Sequence, residues 1–341
     1  MKALVYQGPK TLEVVDRPVP EPQKGEVLIK IKSCGICGSD VHGYLGLTGR
    51  RIAPMIMGHE FSGEIAALGE ALTRDLQVGE RVTVQPCVSC WHCEQCLAGH
   101  NNVCETRDFM GAMDYNGAMA DYVSVPEKLI YRLPDDMSYD QGALIEPLAV
   151  SYSGVKKAGD LQGKNVMIIG GGTIGQLALV AAKTMKPKKI VLSDLSHFRL
   201  ETAKKLGADV TIDPRDKNFV EETRKAFDGE LADVAIEAVG IGPTVAQALD
   251  SLAPQGVCVW IGNSAKMIEV NMQQVVTREL KITGSYIYTH EEFGETIDFL
   301  HQNHLDLSSL ISKEITLDEA PQMFEDLTTQ TEKYLKCIIK F

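Results

Sequence analysis

The chain is 341 residues long, more than one hydrophobic core usually organises, so two domains are expected. Hydrophobic residues make up 44% and charged residues 23%, a globular balance that excludes long disorder. A net charge of -12 argues against nucleic acid, whose phosphates need clustered Lys and Arg.

The opening, "MKALVYQGPKTLEVV", alternates like a strand and lacks a signal peptide's apolar core. No run approaches the ~18 apolar residues that span a membrane. The chain therefore reads as cytoplasmic, where thiols stay reduced and dense cysteines suggest metal. To about residue 135, segments such as "EVLIKIKS", "FSGEIAALG", "ERVTVQP" and "MADYVSV" have strand length and turn residues between them. The stretch "SYDQGALIEPLAVSYSGVKKAG" then reads as helix.

From residue 164 to about 285 the pattern changes. "NVMIIG", "KIVLSD", "ADVAIEAVG" and "GVCVWIG" are apolar on both faces, as a covered parallel sheet requires, and helical periods such as "TIGQLALVAAKTM" and "SHFRLETAKKLG" separate them. This is βαβ repetition, the mark of a doubly wound α/β domain. The tail carries helices and a last strand in "YLKCIIKF", for which the first domain's sheet is the expected host.

Four cysteines, Cys90, Cys93, Cys96 and Cys104, are spaced C-x2-C-x2-C-x7-C. Such spacing lets one tight loop turn several sulfurs toward one zinc ion, and four sulfurs leave no open position, so this site braces structure. A disulfide cluster is the alternative, and a ligand set that includes Cys87 fits the spacing too. Further along, Gly170, Gly172 and Gly175 follow an apolar strand and open a helix with Thr173 and Ile174, the context a dinucleotide fingerprint requires. Asp194 ends the next strand at about the expected 20 residues, where a carboxylate bonds the ribose hydroxyls and repels a 2′-phosphate. That selects NAD over NADP.

Taken together, "CGICGSDVH", "GHEFSGEIAALG" (58 to 69), the cysteine loop and "GGGTIG" resemble the motifs of the zinc-containing medium-chain alcohol dehydrogenases, in that family's order and over essentially the whole chain. Leu72 departs slightly from the extended pattern. The resemblance implies an α/β chain with a GroES-like catalytic domain at 1–150 and 286–341 and a Rossmann domain at 151–285. It makes Cys37 and His59 fixed ligands of a catalytic zinc, separate from the structural one. Glu146 stands where simple alcohol dehydrogenases carry a cysteine, as in the polyol and threonine branches, so Glu60 and Glu146 are expected to alternate as ligand and outer acceptor. Ser39 and His42 match the family's proton relay. The alternative is that Ser39 caps a helix beginning at Asp40. The C-x-x-C of Cys34 and Cys37 is also a redox spacing, but Cys34 reads as a packed bystander.

By the same resemblance Arg199 lies along the adenine edge, while Ile261, Gly262, Asn263, Ser285 and Tyr286 approach the nicotinamide. Gly38 replaces an arginine that many relatives aim at the pyrophosphate. The implied function is hydride transfer between a secondary alcohol, a polyol or sugar-alcohol derivative, and NAD. A threonine-type amino-alcohol dehydrogenase and a non-catalytic NAD-binding regulator are the alternatives. Tyr44, Phe109, Tyr286 and Tyr288 are candidate substrate-lining residues, and a homodimer or homotetramer is expected.

Overall fold

The strand Glu26–Ile36 is the spine of the first half of the chain. It runs longer than the eight residues of "EVLIKIKS" because three neighbours pair with it: Glu60–Leu68, Tyr122–Pro126 and Lys336–Lys340, all antiparallel. Register shifts at Leu28/Ile29 and Ile31/Ser33 mark bulges, which bend a strand and let it serve several partners. The sheet is completed by Ile130–Arg132 and Arg81–Val84 beyond Glu60–Leu68, and by Ile311–Thr316 beyond Lys336–Lys340. The closing segment therefore joins the sheet expected for it, with Cys337 opposite Ile36. Inward residues such as Ile29, Ile31, Phe61, Ile65, Val82 and Ile339 form its core.

The computed structural model describes residues 1–215 and 218–341. Met1–Glu146 with Thr289–Phe341 forms one compact unit, and Pro147–Tyr288 forms the other. The division falls inside the helix Tyr139–Lys157, at Pro147. Proline has no N–H for the helix ladder, so this position weakens continuity there.

The second unit is a six-stranded, wholly parallel sheet. Its order is Val210–Ile212, Lys189–Ser193, Asn165–Ile169, Ala232–Glu237, Leu252–Trp260, Lys281–Gly284. Counted along the chain this is 3-2-1-4-5-6, the dinucleotide-binding order. Its central strands are buried on both faces, which is why they read as unbroken apolar runs. The helix His197–Leu206 starts where Ser196 Oγ accepts a bond from Arg199 N and stops at Gly207, whose φ is 102°.

Candidate functional site

Cys37 follows the spine strand directly and caps the helix Gly38–Tyr44. His59 and Glu60 open the neighbouring strand, whose register sets Glu60 opposite Gly35. One ligand atom each from Cys37, His59 and Glu60 lies within 4.8 Å of the others. A thiol, an imidazole and a carboxylate at that spacing can hold zinc. Glu146 is also buried, on the helix Tyr139–Lys157, but it is not a member of this three-residue cluster.

The residues behind the cluster set its electrostatics. His59 Nδ1 lies 3.4 Å from Asp40 Oδ1, and a ring turned to a carboxylate through Nδ1 offers Nε2 to a metal. Asp40 is fully buried and accepts hydrogen bonds from Cys37 N at 3.1 Å and Arg51 Nη2 at 2.8 Å. Burial pushes its carboxyl up, yet His59 and then the Arg51 guanidinium outweigh burial and hold it at about 2. Glu60 leans on Lys336, whose Nζ donates to Oε1 at 2.7 Å, Oε2 at 2.6 Å and Ile36 O at 3.1 Å. Burial opposes the Lys336 charge, but Glu60 and then Cys37 raise its pKa above the ordinary value. With both oxygens bonded to Lys336, Glu60 is arranged as an acceptor that can also turn to a metal.

The helix carrying Ser39 and His42 begins at Gly38, so Ser39 does not cap a helix starting at Asp40. Cys37 holds the cap position, and Ser39 lies in the first turn with Arg51 Nη2 3.4 Å from its Oγ. His42, one turn on, is exposed to solvent. The Phe109 ring meets the His59 ring edge-on, with centroids 5.4 Å apart and the planes at 69°. Tyr44 does not line it: its hydroxyl bonds Glu325 and Lys10 O, and its ring packs on Phe324 of the helix Ala320–Thr329. Cys34 is wholly buried, and burial pushes its thiol well above the usual range, which suits packing and not redox exchange.

The Sγ atoms of Cys90, Cys93, Cys96 and Cys104 all lie within 4.8 Å of one another. Backbone amides point into the group: Cys93 N donates to Cys90 Sγ at 3.3 Å and Cys90 N to Cys104 Sγ at 3.4 Å. Backbone donors, with His92 N and Cys93 N first, lower Cys90 to about 6, whereas burial and the neighbouring thiols push Cys96 up to about 12. Such opposed shifts in one cluster are what crowded sulfurs do until a cation balances them. Cys87 stays outside, buried on the short strand Cys87–Val88. All nine cysteines are free thiols, so the disulfide alternative is not realised. The lobe is tied to the C-terminal segment by His290 N donating to Asn101 Oδ1 at 2.9 Å and by the Trp91 ring 4.3 Å from that of His290.

In the second unit, the turn Gly170–Gly172 leads from the strand Asn165–Ile169 to the helix Thr173–Thr184, with Ile174 in its first turn. A Cβ on Gly175 would stand 1.7 Å from Gly170 O, so only glycine lets the helix pack this close to the turn. Asp194 Oδ2 accepts from Gly171 N at 2.6 Å and Oδ1 from Ser196 N at 2.8 Å, while Arg199 Nη1 stands 3.7 Å from Oδ2. The fingerprint's glycines and its acid are thus one assembly. Ile261 and Gly262, with Asn263 next, follow the fifth strand, and Ser285 and Tyr286 follow the sixth. These are carboxyl ends of parallel strands, where open α/β sheets bind ligands.

Fold and site define a metal-dependent oxidoreductase that binds a nicotinamide dinucleotide. The alcohol dehydrogenase GroES-like domain matches residues 23–135, and the zinc-binding dehydrogenase domain matches residues 173–302. The chain is 33% identical over 345 residues to the probable D-xylulose reductase A of Emericella nidulans, covering 99% of this chain and 95% of that one. It is 32% identical to the sorbitol dehydrogenase of Bacillus subtilis, over 99% and 97% of the two chains. The solved alcohol dehydrogenase of Escherichia coli CFT073, complexed with NADH, superposes with a TM-score of 0.93 at 29% identity, covering 100% of this chain and 99% of that one. The chain belongs to the zinc-binding alcohol dehydrogenases, in their polyol dehydrogenase branch, and its cofactors are zinc and a nicotinamide dinucleotide.

Arg51 and Lys336 lie outside the motifs, and Asp40, although inside "CGICGSDVH", is assigned no part in the site by them. Asp40 was within reach, since an acid three residues after a helix cap is a capping signal. Lys336 and Arg51 carry none.

Proposed function

We propose that the enzyme exchanges a hydride between a secondary alcohol, a polyol or sugar-alcohol derivative, and NAD. The observation that carries this reading is the Cys37, His59 and Glu60 cluster, backed by Glu146 where simple alcohol dehydrogenases use a cysteine. The relatives named as a D-xylulose reductase and a sorbitol dehydrogenase support a polyol. Among the described residues no helix is long and apolar enough to cross a membrane.

In this reading Cys37, His59 and one of Glu60 and Glu146 hold the catalytic zinc, and Cys90, Cys93, Cys96 and Cys104 hold the structural one. Zinc supplies a Lewis acid that polarises an alcohol oxygen, and NAD supplies the hydride acceptor. Asp40 keeps the His59 ring turned so that one nitrogen faces inward. Ser39 Oγ takes the proton released by the substrate hydroxyl and hands it toward His42. The exposed imidazole of His42 passes it to solvent. Gly170, Gly172, Thr173, Ile174 and Gly175 cradle the pyrophosphate at a helix N-terminus, and Asp194 with Arg199 takes the adenosine end. Ile261, Gly262, Asn263, Ser285 and Tyr286 take the nicotinamide half. Nine unbridged thiols suit a reducing, cytoplasmic setting. Met267, Met272 and Val276 are exposed near the edge strand Lys281–Gly284, which supports a homodimer or homotetramer, to be checked by light scattering.

The direct test is a panel of polyols and amino alcohols followed by NADH absorbance. Turnover confined to polyols is expected. Turnover confined to threonine-like amino alcohols would replace the substrate class, and NAD binding without any turnover would point to a regulator. His42→Gln is expected to lower turnover by about tenfold to a thousandfold at acidic-to-neutral pH while changing NAD affinity little. An unaltered pH–rate profile would remove His42 from the relay.

A further inference from the structure

Glu237 ends the fourth parallel strand and is completely buried. Its Oε1 accepts three hydrogen bonds, from Val239 N at 2.9 Å, Gly240 N at 2.8 Å and Thr244 Oγ1 at 2.7 Å. Its main-chain oxygen accepts two more, from Ile261 N at 2.9 Å and Gly262 N at 3.0 Å. One residue therefore holds the loop after the fourth strand by its side chain and the loop after the fifth by its backbone. The two loops touch: a Cβ on Gly262 would lie 2.2 Å from Gly240 N. Ala265 N donates to Gly240 O at 2.8 Å, and Ser264 Oγ to Val239 O at 2.6 Å, so they move as one piece.

What the loop needs from this side chain is an acceptor oxygen at the Oε1 position, which an acid supplies at some cost of burial. Glu237 faces no ion-pair partner among the described residues, and its Oε2 is buried without a hydrogen bond. Its compensation comes from the three donors on Oε1, which converge because the loop is folded around them. The helix Gly242–Ser251 begins just past this loop, and its positive end also favours the carboxylate. Without an acceptor here, Gly240 N would be a buried donor and Val239 N a partly buried one with no partner, a state that polypeptide avoids by refolding the loop.

We propose that Glu237 is a positioning residue for the nicotinamide half of the cofactor, fixing the paired loops through which Ile261, Gly262 and Asn263 meet it. This rests on the reading of the second unit as an NAD site. Glu237 makes no hydrogen bond to the glycine turn or to Asp194; its loop meets the turn only where Val239 packs beside Gly170, so its effect should fall mainly on the nicotinamide end of the dinucleotide. The adenosine end is held separately.

The test compares two probes on the full-length protein: NADH, followed by fluorescence, and ADP-ribose, which lacks the nicotinamide ring, followed by calorimetry. In Glu237→Ala, NADH is expected to bind about tenfold or more weakly while ADP-ribose stays within about twofold of wild type. Glu237→Gln keeps an acceptor oxygen in the Oε1 position and is expected to hold NADH within about threefold of wild type. Equal weakening of both probes in Glu237→Ala, unchanged NADH binding, or a Gln variant as weak as the Ala variant would each overturn the proposal. If Glu237→Ala does not fold, Thr244→Val removes one donor and is expected to weaken NADH about threefold with ADP-ribose unchanged. NADH binding unchanged in that variant counts against the proposal. A wild-type protein that binds neither probe would instead remove the NAD reading itself, and the proposal with it.

Discussion

Replacing Cys37 with serine is expected to abolish turnover while leaving a folded protein that still binds NADH. Serine keeps the size of the side chain but not the soft thiolate that zinc prefers, and the loss falls on a cluster of three donors. Lewis-acid activation contributes several kcal/mol to reactions of this kind, so turnover should fall by roughly a thousandfold or more. Cys37 lies at the end of a strand whose pairing does not depend on its side chain, and the dinucleotide cradle belongs to the other unit. Metal analysis should find about one zinc ion per chain in place of about two. Cys96→Ser should behave in the opposite way. There zinc would hold a loop with little secondary structure of its own, the four-residue helix Glu94–Leu97, so metal loss should appear first as a lower melting temperature and protease sensitivity of residues 87–104. Full activity with one zinc or none in the wild-type protein would defeat both expectations.

How much of this was legible beforehand depended on whether the information was local. The glycine turn, its helix and Asp194 lie within one βαβ stretch, where apolar runs and glycine spacing carry the signal, and the structure assembles them accordingly. The four cysteines are equally local. The partner of Glu60 is not: Lys336 comes from a strand at the other end of the chain, and only the pairing of Cys337 with Ile36 brings it there. Tyr44 misled for a related reason. An aromatic residue near Cys37 is a reasonable candidate for the substrate pocket until the helix face is known, and that face turns it into the helix Ala320–Thr329. The extra length of the spine strand was hidden because its bulges interrupt simple alternation. Arg51 was invisible, since nothing in "LTGRRIAP" marks the second arginine as the one that reaches Asp40.

Asp194 is the residue through which cofactor choice should be changed. Its carboxylate is nearly enclosed, with 9% of the side chain exposed, and stands at the tip of the strand Lys189–Ser193 beside the glycine turn. The 2′-phosphate of NADP would meet that fixed charge. At about 4 Å and the screening usual near a protein surface, each pair of like charges costs about 4 kcal/mol, enough for a preference of about a thousandfold. Arg199, 3.7 Å from the same carboxylate, offsets part of this, so the wild-type preference for NAD should be strong but finite. Asp194→Ser removes the repulsion and leaves the Arg199 cation beside the phosphate position. It also removes the acceptor for Gly171 N, which ties the acid to the turn, and a serine oxygen can replace only one of the two backbone bonds now made. The efficiency with NAD should therefore fall while that with NADP rises. Leu195 is half exposed, so Leu195→Arg has room to add a guanidinium that takes the phosphate through paired hydrogen bonds and should push the ratio further. The measurement is kcat/KM with each dinucleotide for wild type, the single variant and the double variant. A wild type that uses both equally, or a ratio that the substitutions leave in place, would show that discrimination lies elsewhere along the adenosine pocket.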